Sequence, residues 1–325
     1  MNKCRHGIIL YRPTKDIFET HIESIIEERT MPEPTLLATV NHDPMDVRIQ
    51  FDEPTHIYTI DGDSNYTSVT TFIHQHFPHF DAEKVSKNLL RPSTIYNGRT
   101  YPNTNAYRTT AFNNTKNENP SLSDDEINAL LNDHSTEQFK KEAKKITDEW
   151  SQSSSSGTKT HMDIEWFYNE LPVENDTKEY EYFKKFNEDF KKEFPQYRPY
   201  RTEWTVFYKE IKLAGSIDMV YENTEDGTLM IYDWKRVKRI DYEAYKNDMA
   251  TNPVLDGIPN SNFWHYSLQL NTYKAILESQ YGKKVTKLML VRLHPDAPSY
   301  ELHECADLQD KVLTLFDNRR KEINI

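Results

Sequence analysis

Three short stretches that read as β-strands follow one another closely, and they constrain the fold more than any other feature of the chain. They cover residues 203–211, 213–221 and 228–234. Short strands with tight connections are typical of a meander. The elements expected around them are helices over 177–194, 261–281 and 306–322 and strands over 285–293 and 299–303. This order predicts an α/β fold with a mixed central sheet flanked by helices.

The N-terminal part of the chain is less regular. Residues 1–45 contain one helical pattern, over 14–28, and the rest of this segment favours neither helix nor strand. Residues 47–73 read as a small β unit with Asp61-Gly62-Asp63 as a turn signal.

A polar region separates this β unit from the meander. Residues 92–135 are rich in Asn, Thr and Ser, which predicts a long loop or insertion. A helix is expected over 122–150, with Ser123 as its N-cap. The serine run 151–157 is expected to be a loop that leads into a helix. The expected division is an N-terminal segment (1–45), a small β unit with a polar helical insertion (46–150) and a core domain (151–325).

The composition argues against several classes of protein. Among the 325 residues, no stretch approaches the roughly 18 apolar residues that a membrane helix needs, and no signal peptide is recognisable. The cysteines, Cys4 and Cys305, are too few for a disulfide framework or a four-cysteine metal site. We therefore expect an intracellular protein in a reducing compartment, without a membrane partner.

Two aspartates dominate the predicted meander. If the hairpin turn is centred between residues 225 and 226, paired residue numbers sum to 451, and Asp218 lies opposite Asp233. Their Cβ atoms would then be roughly 5 Å apart. Burying two facing carboxylates is costly, and a divalent cation such as Mg²⁺ between them removes that cost.

Lys235 lies two residues after Asp233 and therefore projects from the same face of the strand. An ammonium beside two metal-bound carboxylates can hold a water or offset charge on a phosphate. His161 is expected in the first turns of a helix, where a neutral imidazole is a competent metal ligand. Glu165, one turn later, either orients His161 or is simply solvated. Taken singly, each of these residues has an ordinary structural explanation.

Further candidates flank this group. Glu203 is expected at the start of a strand. Gln269 and Tyr273 are four residues apart on the helix that covers the sheet, where they can hydrogen-bond a nucleic acid or a catalytic side chain. The densest basic stretch, residues 235–239, follows Asp233 directly, although the net charge of the chain is −12.

Together these residues form an ordered series within residues 150–290. The series is Gly157-x-x-x-His161, Glu203, Gly215-Ser-Ile-Asp218, Asp233-Trp-Lys235 and Gln269-x-x-x-Tyr273. It resembles the RecB-type signature of the PD-(D/E)xK nuclease superfamily, in the branch that includes mitochondrial genome maintenance exonuclease. His56-x-Tyr58 with Ser68-Val69-Thr70 is similar to the β unit before the core in mitochondrial and phage members. Residues 263–273 are similar to nucleases of large DNA viruses.

The resemblance implies a restriction-endonuclease-like fold and one or two Mg²⁺ or Mn²⁺ ions. It assigns the metal to His161, Asp218 and Asp233, together with the backbone carbonyl of Trp234. Lys235 would be the catalytic lysine, and Glu203 an accessory carboxylate that takes part in catalysis.

The resemblance also implies DNA as partner. Gln269 and Tyr273 would position Lys235 or the DNA strand, and Arg236 and Lys238, with Arg239, would guide it. Tyrosines of the insertion would stack single-stranded bases or would only pack. These tyrosines are Tyr96, Tyr101 and Tyr107.

The chain departs from the family pattern in three ways. Ile217 stands where the motif has proline, and the cysteines of an iron–sulfur cluster are missing. The chain also lacks a Walker A motif, so ATP is not an expected cofactor. The expected function is an ATP-independent DNA exonuclease of replication, repair or recombination in the cytoplasm, the nucleus or a viral replication site. The alternatives are a structure-specific endonuclease with the same site, a non-cleaving DNA-binding or recombination scaffold, and an interaction protein with coincidental motifs.

Overall fold

A computed structural model describes residues 36–96, 99–245 and 248–323, and the described residues belong to one compact unit that spans residues 35–325. The helix expected over 14–28 lies outside the described residues, as does the side chain of Tyr96. No helix within the described ranges is long and apolar enough to cross a membrane.

A six-stranded mixed sheet forms the centre of this unit. The described residues form the strands β1 (Ile49–Asp52), β2 (Ile57–Ile60), β3 (Thr67–Ser68), β4 (Ser93–Tyr96), β5 (Arg99–Pro102), β6 (Tyr197–Tyr208), β7 (Leu213–Asn223), β8 (Leu229–Lys235), β9 (Val285–Arg292) and β10 (Glu301–Glu304). The pairs β1–β2 and β4–β5 form separate hairpins, and the other six strands form the central sheet. The order in the sheet is β10-β9-β8-β7-β3, and β6 also pairs with β7. The pairs β8–β9 and β3–β7 are parallel, and the others are antiparallel.

Helices cover both faces of the sheet. The helices of the described residues are α1 (Leu37–Val40), α2 (Val69–His74), α3 (Ala82–Leu89), α4 (Ala106–Glu118), α5 (Asp124–Asn132), α6 (Glu137–Tyr168), α7 (Lys178–Glu193), α8 (Asn262–Gln280) and α9 (Gln309–Ile323). Helices α2, α8 and α9 pack on one face of the sheet and α7 on the other. The prediction of an α/β fold with a mixed sheet flanked by helices is therefore confirmed.

Strand β8 shows why the sheet needs helices on both sides. Leu229 and Ile231 belong to a cluster with residues of α8 and α9, whereas Tyr232 and Trp234 belong to a second cluster with residues of α7. Each such buried side chain contributes about 1.5–3 kcal/mol. By the same alternation, Asp233 points to the α8 face.

The hairpin register expected from the sequence is confirmed. Residues Met219 to Glu222 pair with Tyr232 to Leu229, so that each pair sums to 451. The next step of this register brings Asp218 opposite Asp233. The site therefore lies where the ladder between β7 and β8 ends.

The serine run differs from the prediction. Residues 151–157 lie inside α6, which is 32 residues long, and His161 lies near the C-terminal end of this helix rather than in its first turns. Hydroxyls of the run bond to the carbonyl four residues earlier, as in Ser155 to Ser151 at 3.1 Å and Thr160 to Ser156 at 2.9 Å. These local bonds are compatible with a helix as well as with a loop. The expected boundary at residue 150 thus falls inside one continuous helix.

The polar region 92–135 is also more ordered than expected. It forms the hairpin β4–β5 and the helices α4 and α5. Arg108 holds it together, because its buried guanidinium donates to the carbonyls of Leu90 and Leu131 and to the side chains of Asn128 and Asn132. Polar composition predicted a loop, whereas these polar groups satisfy one another inside a helical subdomain. The expected N-cap Ser123 is present in a capping box.

The small β unit is shorter than expected. β1 and β2 form a hairpin, but the stretch after it keeps only the two residues of β3 as strand before α2 begins. Ser68 starts this helix, because its hydroxyl accepts the backbone N–H of Thr71 at 3.0 Å. The cap overrides the strand preference of the β-branched residues that follow.

Candidate metal centre

The end of the β7–β8 ladder brings Asp218 and His161 together. Asp218 Oδ2 accepts the backbone N–H of Trp234 at 3.0 Å, and His161 Nε2 lies 2.9 Å from the Trp234 carbonyl oxygen. Because a carbonyl oxygen only accepts, Nε2 carries a proton. His161 Nδ1 therefore faces the carboxylates, 3.4 Å from Asp218 Oδ2 and 3.8 Å from Glu203 Oε1.

Glu203 reaches the site from an unusual backbone conformation. It lies in the middle of β6, not at a strand start as expected, and its φ is +41°. A left-handed non-glycine residue costs about 1–3 kcal/mol and persists only where its surroundings hold it. Trp204 beside it donates its indole N–H to Asp46 at 3.1 Å, and Ser216 donates to Glu203 Oε2 at 2.8 Å. These contacts hold the carboxylate beside His161.

The three side chains suit a divalent cation. One ligand atom from each of His161, Glu203 and Asp218 lies within 4.8 Å of the others. Burial alone lowers the pKa of His161, but the charge of Asp218 and the hydrogen bond and charge of Glu203 more than offset this, and its pKa is raised to about 9. The imidazolium thus balances the carboxylates, and a cation could take the place of its proton. Two carboxylates and an imidazole are donors that a divalent cation accepts.

Asp233 and Lys235 form an adjoining pair. Asp233 is 2% exposed, and its Oδ2 lies 2.5 Å from Lys235 Nζ as an ion pair but lacks a hydrogen bond of good geometry to any described residue. Burial, followed by the charge of Asp218, raises the pKa of Asp233. A third carboxylate, buried next to Asp218, is a second observation that fits a cation at this end of the sheet.

The residues that converge in the structure differ from the metal ligands that the resemblance implies. Glu203, expected as an accessory residue, joins His161 and Asp218, whereas Asp233 is not in that group and lies beside Lys235. The Trp234 carbonyl, an expected ligand, accepts the hydrogen bond from His161. Glu165 was expected either to orient His161 or to be solvated, and among the described residues it is the Trp234 carbonyl that lies within hydrogen-bond distance of the imidazole. Burial, Glu203 and Glu53 raise the pKa of Glu165 to about 7.

Tyr273 lies in the core, and its expected role of positioning Lys235 or the DNA strand stays a prediction. Its side chain is 3% exposed, and Gln269 Nε2 lies 3.4 Å from its hydroxyl. Its ring is so close to β7 that a Cβ at Gly215 would be 2.7 Å from Tyr273 Cε1. Gly215 is therefore needed for the approach of α8 to the sheet, and Gln269, the other residue of this pair, is half-buried.

Two glycines of the motif series should respond oppositely to alanine. We expect Gly215→Ala to lower the free energy of unfolding by about 1–3 kcal/mol, because the added methyl overlaps Tyr273. Gly157→Ala serves as the matched control, since nothing lies within 4 Å of its Cβ position and it is helical. It should raise the free energy of unfolding by about 0.5–1 kcal/mol. Urea unfolding of the three proteins measures both, and equal effects would contradict the packing described here.

The basic residues after Lys235 differ in their surroundings. Arg236 turns to the α7 face, where its Nε lies 2.7 Å from Glu179 Oε1, and both side chains are largely buried. Its expected role in guiding DNA stays a prediction, although this ion pair occupies its side chain. Lys238 is exposed and pairs with exposed Glu149 at 3.2 Å, so that it can exchange this partner for a phosphate.

Alanine substitutions should separate these two roles. Arg236→Ala leaves Glu179 buried without its partner and is expected to lower the free energy of unfolding by about 3 kcal/mol. Lys238→Ala should leave stability within about 0.5 kcal/mol of the wild type. It should instead weaken DNA binding and reduce its salt dependence by about one charge. Thermal unfolding and fluorescence anisotropy at several salt concentrations measure both, and the reverse result would restore Arg236 as the DNA contact.

The insertion tyrosines are also distinguished by the structure. Tyr101 is exposed, whereas Tyr107 is half-buried and accepts a hydrogen bond from Trp150 Nε1 at 3.3 Å. Of the two, Tyr101 is the one free to stack a base.

Sequence reasoning missed Tyr266. Its ring centroid lies 4.5 Å from Lys235 Nζ. The signal was present, because Tyr266 precedes Gln269 by three residues and so lies on the same side of α8.

Comparisons with known proteins add little to this picture. Neither a protein-family model nor a curated protein matches the chain. Among solved structures, the chain is similar to the crystal structure of a protein designated SSO0001, with 13% identity and a TM-score of 0.25 over 78% of this chain and 84% of that one. A TM-score this low carries no argument about function.

Proposed function

We propose that this protein is a metal-dependent nuclease of the PD-(D/E)xK superfamily with a restriction-endonuclease-like core, and that it hydrolyses phosphodiester bonds in DNA. One observation carries the proposal. His161, Glu203 and Asp218 converge within 4.8 Å, directly beside the buried Asp233–Lys235 pair. Glu203, Asp218 and Asp233 carry three negative charges, against two positive charges on His161 and Lys235, so that a cation at this point would offset the excess.

The residues divide into holding and reacting groups. His161, Glu203 and Asp218 would hold the cation, and Asp233, which pairs with Lys235, adds a negative charge beside it. When bound, such a cation lowers the pKa of a water and offsets the charge on a phosphate. The Trp234 backbone fixes both His161 and Asp218. Its carbonyl accepts a hydrogen bond from His161, and its N–H donates one to Asp218.

Lys235 is the reacting group in this proposal. Its side chain is 14% exposed, and although burial lowers its pKa, the charges of Asp233 and Asp218 more than offset this and raise it. The ammonium therefore stays charged at neutral pH. It holds a water by hydrogen bonding or stabilises negative charge on the phosphate.

Cleavage of end-labelled DNA tests the proposal. Single-stranded and double-stranded substrates, each linear and circular, would be incubated with Mg²⁺, Mn²⁺ or EDTA, with Asp233→Ala and Lys235→Ala as variants. We expect metal-dependent loss of linear DNA that both substitutions abolish. Cutting of circles would indicate an endonuclease with the same site. The absence of cleavage, or cleavage that survives both substitutions, would overturn the proposal in favour of a non-cleaving DNA-binding protein.

A further inference from the structure

Two side chains hold the Lys235 ammonium. Asp233 Oδ2 lies 2.5 Å from Nζ, and the Tyr266 ring centroid lies 4.5 Å from it. A lysine has a flexible four-carbon stem, so a single ion pair leaves its ammonium several orientations. The face of an aromatic ring carries the negative part of its quadrupole and attracts a cation. Tyr266 therefore supplies a second, direction-dependent contact.

The position of Tyr266 is itself fixed by α8. Tyr266, Gln269 and Tyr273 follow one side of this helix, which packs on the sheet face to which Asp233 and Lys235 point. At the far end of this stripe, Tyr273 contacts Gly215 so closely that no side chain fits between them. The same helix thus carries Tyr273 against β7 at one end of the stripe and Tyr266 over Lys235 at the other.

Lys235 and its neighbour Arg236 contact different helices. Arg236 alternates to the opposite face and is held there by Glu179 on α7. Each cation at the end of β8 therefore has an anchor on a different covering helix. Tyr266 makes its described contact with Lys235 through the ring, not through a hydrogen bond of its hydroxyl.

We propose that Tyr266 is a positioning residue, whose ring face orients the Lys235 ammonium for the reaction. This inference rests on the proposed function and extends it to a residue outside the motif series. It requires that the electronic character of the ring matters, and not only its shape. Simple packing of a buried aromatic makes the opposite prediction.

A fluorinated phenylalanine series at position 266 tests this distinction. Phenylalanine and its mono-, di- and trifluoro forms have nearly the same shape, but their attraction for a cation decreases stepwise. We expect kcat to fall by about tenfold across the series, while the KM for DNA and the melting temperature stay constant. Tyr266→Phe should keep most of the activity, and Tyr266→Leu should lose as much as the trifluoro form.

The same series at Phe263 is the matched control. Phe263 is buried on the same helix and contacts Tyr242 and Trp264. Fluorination there should leave kcat unchanged. An active wild type with a flat series at 266 would overturn the inference alone and leave the nuclease assignment intact. An inactive wild type would overturn the proposed function and this catalytic role with it.

Discussion

Replacing Asp218 with asparagine is expected to lower the rate of DNA cleavage by about a thousandfold or more, because cation stabilisation of several kcal/mol is lost. Asp218 Oδ2 both accepts the Trp234 N–H and lies nearest to His161 Nδ1. An asparagine can keep the hydrogen bond to Trp234 through its carbonyl. Its neutral amide, however, lacks the negative charge that attracts the cation. The fold should therefore survive while the site fails.

The measurement is cleavage of labelled DNA over a range of Mg²⁺ concentrations, with Mn²⁺ binding followed in parallel by electron paramagnetic resonance. Asp256→Asn is the matched control, since Asp256 is exposed and distant in sequence from the site. We expect Asp218→Asn to lose both activity and Mn²⁺ binding, and the control to lose neither. Full Mn²⁺ binding by Asp218→Asn would remove this carboxylate from the metal centre.

Replacing Lys235 with methionine should separate catalysis from metal binding. Methionine keeps much of the apolar stem but removes the charge that acts on the phosphate, and we expect kcat to fall by about 10²–10³-fold. Mn²⁺ binding should persist, because Lys235 is not among the three converging ligands. The buried Asp233 loses its partner and becomes easier to protonate, which limits the loss of stability.

Single-turnover cleavage and Mn²⁺ titration of the same protein preparation check this expectation. Lys191→Met on the exposed surface of α7 is the control, and it should match the wild type in both measurements. If Lys235→Met cleaved DNA at the wild-type rate, Lys235 would be a structural partner of Asp233 and no more.

Local patterns predicted the parts of the fold that depend on near neighbours in the chain. The register of the β7–β8 hairpin followed from the position of its turn, because antiparallel pairing leaves one register once the turn is known. The same arithmetic brought Asp218 opposite Asp233. Similarly, α8 could be predicted from 261–281, and the structure has it at Asn262–Gln280.

Other features depend on contacts between residues far apart, which a single sequence does not reveal. The ion pair between Arg236 and Glu179 joins residues 57 positions apart. One residue of the basic stretch that was expected to contact DNA therefore has a partner within the protein. The left-handed conformation of Glu203 is invisible to periodicity, which registers only side-chain type. The serine run has the composition of a linker, yet the packing at both ends of α6 makes it helical.

Reversible removal of the metal tests the central claim most directly. A single sample of wild-type protein would be treated with EDTA, assayed on end-labelled linear DNA, and assayed again after excess Mg²⁺ or Mn²⁺ is added. The metal centre at His161, Glu203 and Asp218 predicts that cleavage stops with EDTA and returns with either ion, in parallel with Mn²⁺ binding. Cleavage that continues in EDTA, or a protein that binds no Mn²⁺ and cuts no DNA, would contradict it.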